Sequence, residues 1–278
     1  MTSMRLPNPM DNKTWRTSDM AQKAMNFAKR LRAGETIFNA TTMVPGAMII
    51  ETFAAAGFQS ITLDIQHGFY DYETVLMGIA SASSMGASTL VRVGLDDVST
   101  AARCLDAGAA GVLIPMVNTQ ADVDRLVAAT KYPPLGQRSW GPGRSLASSG
   151  LSAQDYLNAA NRSSVVFAMI ETQTALDNIE LIAGHEGIDG LFVGPLDLSI
   201  SLSQGGRLDP GSDATRAAME KVANVCARHG KTAGAFAATD ELAHTYMDQG
   251  YRFMALALDV SLIRAGAEAI LGRFRGMR

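Results

Sequence analysis

Cysteine is scarce in this chain: Cys104 and Cys226 are the only two among 278 residues. Neither belongs to a C-x-x-C pair or to a Cys/His spacing that would hold zinc. Both sit in helical-looking segments and read as small buried side chains, with nothing pointing to an oxidising compartment. Cationic runs are missing too. Lys and Arg total 24 against 27 Asp and Glu, the net charge is −3, and the basic residues are scattered. That is not the footprint of a nucleic-acid-binding domain, which is basic. No apolar run approaches the ~18 residues needed to cross a bilayer. The polar start MTSMRLPNPMDNKTWRTSDM lacks the apolar centre of a signal peptide. The expectation is a soluble cytoplasmic protein with neither nucleic acid nor membrane as a partner.

What the chain has is a recurring punctuation. With 47% hydrophobic residues it can bury a sizeable core. Six times a helical pattern ends in a glycine and a short apolar run follows: AAAGFQSITLDI, SSMGASTLVRV, LDAGAAGVLIP, GHEGIDGLFVG, ARHGKTAGAFA and MDQGYRFMALA. Gly57, Gly86, Gly108, Gly187, Gly230 and Gly250 are expected to close helices in the left-handed conformation. The apolar runs do not alternate with polar residues, as expected of parallel strands covered on both faces. ETIFNATTM and VVFAMIE complete a set of eight strands, near residues 36–41, 61–65, 88–93, 110–115, 165–171, 189–194, 232–236 and 252–257. Thr119, Ser152 and Thr239 are placed to cap helices between them. Eight strand–helix units predict a (β/α)8 TIM barrel as a single domain over residues 19–278, behind a short N-terminal extension over 1–18. A doubly wound open sheet is the alternative, but no G-x-G-x-x-G follows the first strand.

In such a barrel the active site lies at the carboxyl ends of the strands. The second predicted strand runs into Asp64, Gln66 and His67, with Gly68 behind them. The third ends at Arg92, the fifth at Glu171, and the sixth leads through Gly194 and Pro195 to Leu196 and Asp197. Each has a plain structural reading: His67 as a bonded turn residue, Arg92 as partner to a carboxylate, Glu171 as a helix cap, Asp197 as a turn or cap residue. Together at one rim they point to chemistry. Glu171 and Asp197 make an oxygen-rich pair that suits Mg2+ or Mn2+ better than structural zinc. Arg92 can meet a substrate carboxylate as a fork, and His67 can move a proton near neutral pH. These groups suit a small anionic oxo acid.

The chain resembles the HpcH/HpaI aldolase family of metal-dependent pyruvate aldolases, from about residue 26 to 274. The resemblance is carried in order by LDIQHG, LVRV, LDAGAAGVLIPMV, YPPLGQRSWGP, IETQTALDN and GPLDLS. It implies a divalent metal ion (Mg2+, Mn2+ or Co2+) on Glu171 and Asp197. It further implies that Arg92 binds the pyruvyl carboxylate and steadies the enolate, and that His67 handles protons with Asp106 as its partner. Backbone N–H groups around Leu196 and Asp197 would hold the carboxylate. The implied reaction cleaves or forms a 4-hydroxy-2-oxo acid, with pyruvate or a close 2-oxo acid such as hydroxypyruvate and an aldehyde as the other side. A homo-oligomer, trimer or hexamer, is implied as well, with the apolar face of residues 258–274 packing on a neighbouring subunit.

Two positions depart from the family pattern. Gln66 stands where many members have glutamate, which puts metal affinity in question, and Met169 stands where some carry a glutamine. Arg138 and the backbone would then carry more of the pyruvyl recognition. The long stretch from Pro133 to Arg162 is expected to arch over the site, with Gln137, Arg138, Trp140 and Arg144 as candidates for substrate contact. The alternatives are a CoA-ester lyase of the related citrate lyase group, whose chains usually carry an added C-terminal segment, and a non-catalytic paralogue that binds an oxo acid.

Overall fold

Eight short strands frame the molecule: β1 (Ile37–Thr42), β2 (Ser60–Asp64), β3 (Ser88–Arg92), β4 (Gly111–Ile114), β5 (Val165–Ile170), β6 (Gly190–Val193), β7 (Thr232–Phe236) and β8 (Phe253–Leu258). The computed structural model describes residues 26–275, so the expected extension over 1–18 lies outside the described residues. Each strand pairs in parallel with the next, and β8 returns to β1 to close the barrel. The (β/α)8 TIM barrel expected from the sequence is the observed fold, with strand limits within two residues of the predicted ones. Thr119, Ser152 and Thr239 cap their helices through side chains that accept from Asp122, Asp155 and Leu242 amides. Gly108 and Gly230 close theirs with left-handed backbone, as predicted. Gly187 differs. It is not among the positive-φ glycines; instead, a Cβ there would lie 2.5 Å from a Val127 methyl, so close packing on the helix Gln120–Thr130 is what requires glycine.

Alternation along the strands sorts side chains into two cores. Val91, Val112, Ile114, Val166, Ala168, Ile170 and Leu191 point outward and pack under the helices. Leu90, Leu113, Val165, Phe167, Met169, Phe192 and Phe253 point inward and fill the barrel. Phe167 stacks on Phe253 at 5.1 Å, and Phe192 tilts against Phe253 at 5.9 Å. Phe27, Ala28 and Leu31, from the helical residues 26–32, close the end where the strands begin. That amino-terminal end is the lower rim; the carboxyl ends form the upper rim. The barrel is thus plugged from below; Asn39, Ser60 and Thr62 form a buried, hydrogen-bonded polar group along β1 and β2, and the charged side chains of the inward rows gather at the upper end.

The last helix, Asp259–Gly272, is anchored at its first residue and then leaves the barrel. Asp259 is buried and its Oδ2 accepts from the Met43 and Val44 amides, each at 2.9 Å. Beyond it, Leu262, Ile263, Ile270, Leu271 and Phe274 are 49–65% exposed. This apolar helix covers little of its own barrel.

Candidate functional site

Strand alternation alone builds the upper layer. Asp64 follows Thr62 by two residues, Arg92 follows Leu90, Glu171 follows Met169 and Gly194 follows Phe192, so each continues an inward-facing row. Asp64 is fully buried and organises the end of β2. Its Oδ1 accepts from the Gln66 and His67 amides at 3.1 and 3.3 Å and from Arg92 Nε at 2.9 Å. Its Oδ2 accepts from Arg92 Nη2 at 2.6 Å. The plain reading of Arg92 as a carboxylate's partner therefore holds, yet it leaves chemistry available. Asp64 occupies two of five guanidinium N–H groups, and the Arg92 side chain remains 22% exposed. Gly68 makes the turn possible through crowding: a Cβ there would sit 2.3 Å from the Asp64 carbonyl oxygen and 2.9 Å from Met43 backbone. His67 is held exposed on this tight turn, and Gln66 Oε1 is buried with no hydrogen-bond partner among the described residues.

Across the rim, Glu171 is 3% exposed and its Oε2 accepts from the Met116 amide at 2.8 Å. Its other oxygen presses on Gly194, where a Cβ would lie 2.9 Å away. Asp197 is exposed in the first turn of the helix Pro195–Leu202, next to Leu196. Burial, first, lifts the Glu171 carboxyl above the ordinary glutamate range. The Asp197 charge pushes the same way, while the Met116 amide and the Arg92 charge pull it down. A buried carboxylate strained by a second one is a donor set that a hard divalent cation fits. Among the described residues no group of three His, Cys, Asp or Glu side chains is arranged for a metal. A cation here would rest on two carboxylates, with positions open for water and substrate.

Three expected site residues lie elsewhere in the chain. Asp106 is in the last turn of the helix Val98–Ala107, at the lower rim, where its Oδ1 accepts from Arg138 Nη2 at 2.6 Å. The Arg138 guanidinium lies over the Tyr132 ring at 4.7 Å, and the Trp140 ring stands 5.5 Å from that of Tyr132. One chain does not bring these residues to His67. The expectation that residues 133–162 arch over the site is overturned by topology: the stretch joins the end of the helix Gln120–Thr130 to the start of β5, both at the lower rim. It folds into two helices, Gly143–Ser149 and Ala153–Ser163, on the barrel's flank. Arg144 donates to the Leu76 carbonyl at 2.9 Å. A hollow of about 680 Å³ lies on this flank, lined by Ile79, Leu105, Arg138 and Tyr156, away from the carboxylates. Met169 is 1% exposed within the inner core, one layer beneath Glu171.

Sequence reasoning missed Met116, and it placed Gly194 at this rim without giving it a role. Met116 acts through its backbone, which leaves no trace in residue type. Gly194 precedes the proline that starts a helix, and only its nearness to Glu171 shows its purpose.

The profile of the family described as HpcH/HpaI aldolase/citrate lyase matches residues 43–265. A hydroxypyruvate/pyruvate aldolase of Pseudomonas aeruginosa is 33% identical, over 90% of this chain and 92% of its own. A 4-hydroxy-2-oxo-heptane-1,7-dioate aldolase of Salmonella dublin is 34% identical, over 89% of this chain and 94% of its own. Among solved structures, an HpcH/HpaI aldolase from Desulfitobacterium hafniense DCB-2 superposes with a TM-score of 0.82 at 27% identity, covering 90% of this chain and 96% of that one.

Proposed function

Because the chain belongs to the HpcH/HpaI aldolase/citrate lyase family, we propose that it is a divalent-metal-dependent aldolase acting on 4-hydroxy-2-oxo acids. Cleavage yields pyruvate, or a close 2-oxo acid such as hydroxypyruvate, and an aldehyde; the reverse reaction joins them. The observation that carries this reading is the convergence of Glu171, Asp197 and Arg92, with the last two acting electrostatically on the buried first. Glu171 and Asp197 would hold Mg2+, Mn2+ or Co2+, which when bound polarises the 2-oxo group as a Lewis acid.

The chain's own groups supply the rest. His67 takes the 4-hydroxyl proton, directly or through a water, as the C3–C4 bond breaks. Arg92 turns its free N–H groups to the pyruvyl oxygens and offsets the negative charge that grows there. The amides of Leu196 and Asp197, in the first turn of their helix, favour a carboxylate at that position. Gln66 brings its unpaired amide oxygen to the same rim.

Asp106, Arg138 and Trp140 would join this chemistry only from a second subunit. A homo-oligomer, a trimer or hexamer, is part of the reading, supported by the exposed apolar side chains of the helix Asp259–Gly272. The test uses protein stripped with a chelator and supplied with 4-hydroxy-2-oxo acids of several chain lengths. Pyruvate release is expected only after Mg2+, Mn2+ or Co2+ is restored. No metal-dependent release across the series overturns the aldolase reading, and sedimentation of the same sample as a monomer overturns the oligomer.

A further inference from the structure

Met116 carries φ of 56°, a left-handed backbone at a residue with a Cβ. Such a conformation is costly outside glycine and persists only where surrounding contacts enforce it. Here it directs the Met116 amide onto Glu171 Oε2. The contacts that enforce it converge on one side chain. Asn118 Nδ2 donates to the Met116 carbonyl at 2.9 Å, which fixes the peptide on the far side of the left-handed residue. Asn118 Oδ1 accepts from the Thr172 hydroxyl, and Thr172 directly follows Glu171. The Asn118 backbone is fastened as well: its amide donates to Asp122 Oδ2 at 3.1 Å, and its carbonyl accepts from Asn178 Nδ2 at 2.7 Å.

We infer that Asn118 is a positioning residue for the carboxylate of Glu171. It holds both ends of the Met116–Glu171 contact, one through the Met116 carbonyl and the other through Thr172. It thereby keeps one Glu171 oxygen occupied by the amide and the other turned toward Gly194. A simple capping role does not account for its side chain. The helix Gln120–Thr130 is already capped by the reciprocal Thr119 and Asp122 bonds, and Asn118 Nδ2 and Oδ1 both point at neighbours of Glu171. The inference rests on the reading of Glu171 as a metal carboxylate.

The test is Mn2+ binding, followed by the paramagnetic signal of free ion, together with melting of the metal-free protein. Wild type, Asn118→Ala, Met116→Gly and Asn118→Ala/Met116→Gly are compared. Loss of a group that orients a metal ligand weakens affinity about 10-fold or more, and that is expected of Asn118→Ala. Glycine at 116 adopts the left-handed backbone without the clamp, so the double variant is expected to bind several-fold more tightly than Asn118→Ala. A merely structural role for Asn118 predicts no such rescue. Mn2+ affinity of Asn118→Ala within twofold of wild type overturns the inference. A double variant binding no more tightly than Asn118→Ala overturns it too. Wild type that binds no Mn2+ overturns the reading of Glu171 itself, a separate outcome.

Discussion

At the lower rim the Lys131 ammonium, 1% exposed, donates to the Asn161 and Ser164 carbonyls and to Asp189 Oδ2, at 2.6–3.1 Å. Asp189 also accepts from Arg32 at 2.8 Å and from the Val166 amide at 3.0 Å. At the upper rim Glu171 is almost as buried, but a single amide donor meets it and the Asp197 charge acts against it. The same material, charge taken out of water, is answered donor for acceptor below and left in deficit above. Below, the ions fasten helix ends to strand starts. Above, the proposed cation and anionic substrate would answer that deficit, and a titratable group perturbed in this way is a candidate for function.

Arg92 gives the largest expected break in that contrast, because it belongs to both kinds of bonding. Removing it in Arg92→Ala takes away the charge facing the substrate, and kcat/KM is expected to fall on the order of 10³-fold. The variant also strands Asp64, fully buried, as an unpaired carboxylate, at a stability cost of about 3 kcal/mol. Mn2+ affinity should stay within a few-fold of wild type, and its loss would show that Arg92 holds the metal site rather than the substrate. Arg92→Lys separates the two effects. It keeps a charge but loses the fork, so most of the stability should return in denaturant melts while the activity does not.

Lys131 is the matching probe below. Lys131→Met leaves the Asn161 and Ser164 carbonyls without this donor and takes the buried ammonium from Asp189, which keeps only Arg32 and the Val166 amide, and unfolding should become easier by about 3 kcal/mol. At a temperature where the variant is folded, its kcat/KM is expected to equal wild type. A variant as stable as wild type would deny the fastening role. One that is folded but slow would mean that the two rims are coupled.

The upper rim was largely legible in the sequence, and for a physical reason. Strands covered on both faces are mostly apolar, and the buried polar exceptions along these ones, such as Asn39, Ser60 and Thr62, are uncharged, so a charged residue that continues an inward row, as Arg92 and Glu171 do, stands out against them. Asp64 announced itself the same way, although the sequence could not say that it would clamp Arg92. The lower cluster was misplaced for want of a topological step. A segment between a helix and the next strand must run at the amino-terminal rim, and that assigns Arg138 and Trp140 without any coordinates. Other features were out of reach in principle. The crowding at Gly68, Gly187 and Gly194 and the left-handed turn at Met116 depend on how closely distant segments approach, which residue type does not record.

Glu171→Gln gives the smallest effect and bears most directly on the contrast. The substitution keeps the shape and removes the charge. Folding lifts the Glu171 pKa, through burial first and Asp197 next, so the folded chain holds that proton more tightly than the unfolded one. The stability linked to the proton is fully present below the ordinary value of 4.5 and is lost as pH rises through the folded value. At pH 7 the metal-free wild type therefore bears a cost that Glu171→Gln does not. In chelator the variant should melt higher, by about 2–4 °C for each kcal/mol relieved, and the gap should close below pH 4.5. Adding Mn2+ should reverse the order at pH 7, because only wild type keeps both carboxylates and a ligand stabilises the state that binds it. If the two proteins melt alike in chelator at both pH values, Glu171 is as well compensated as Asp189, and the upper rim holds no deficit for a cation to fill.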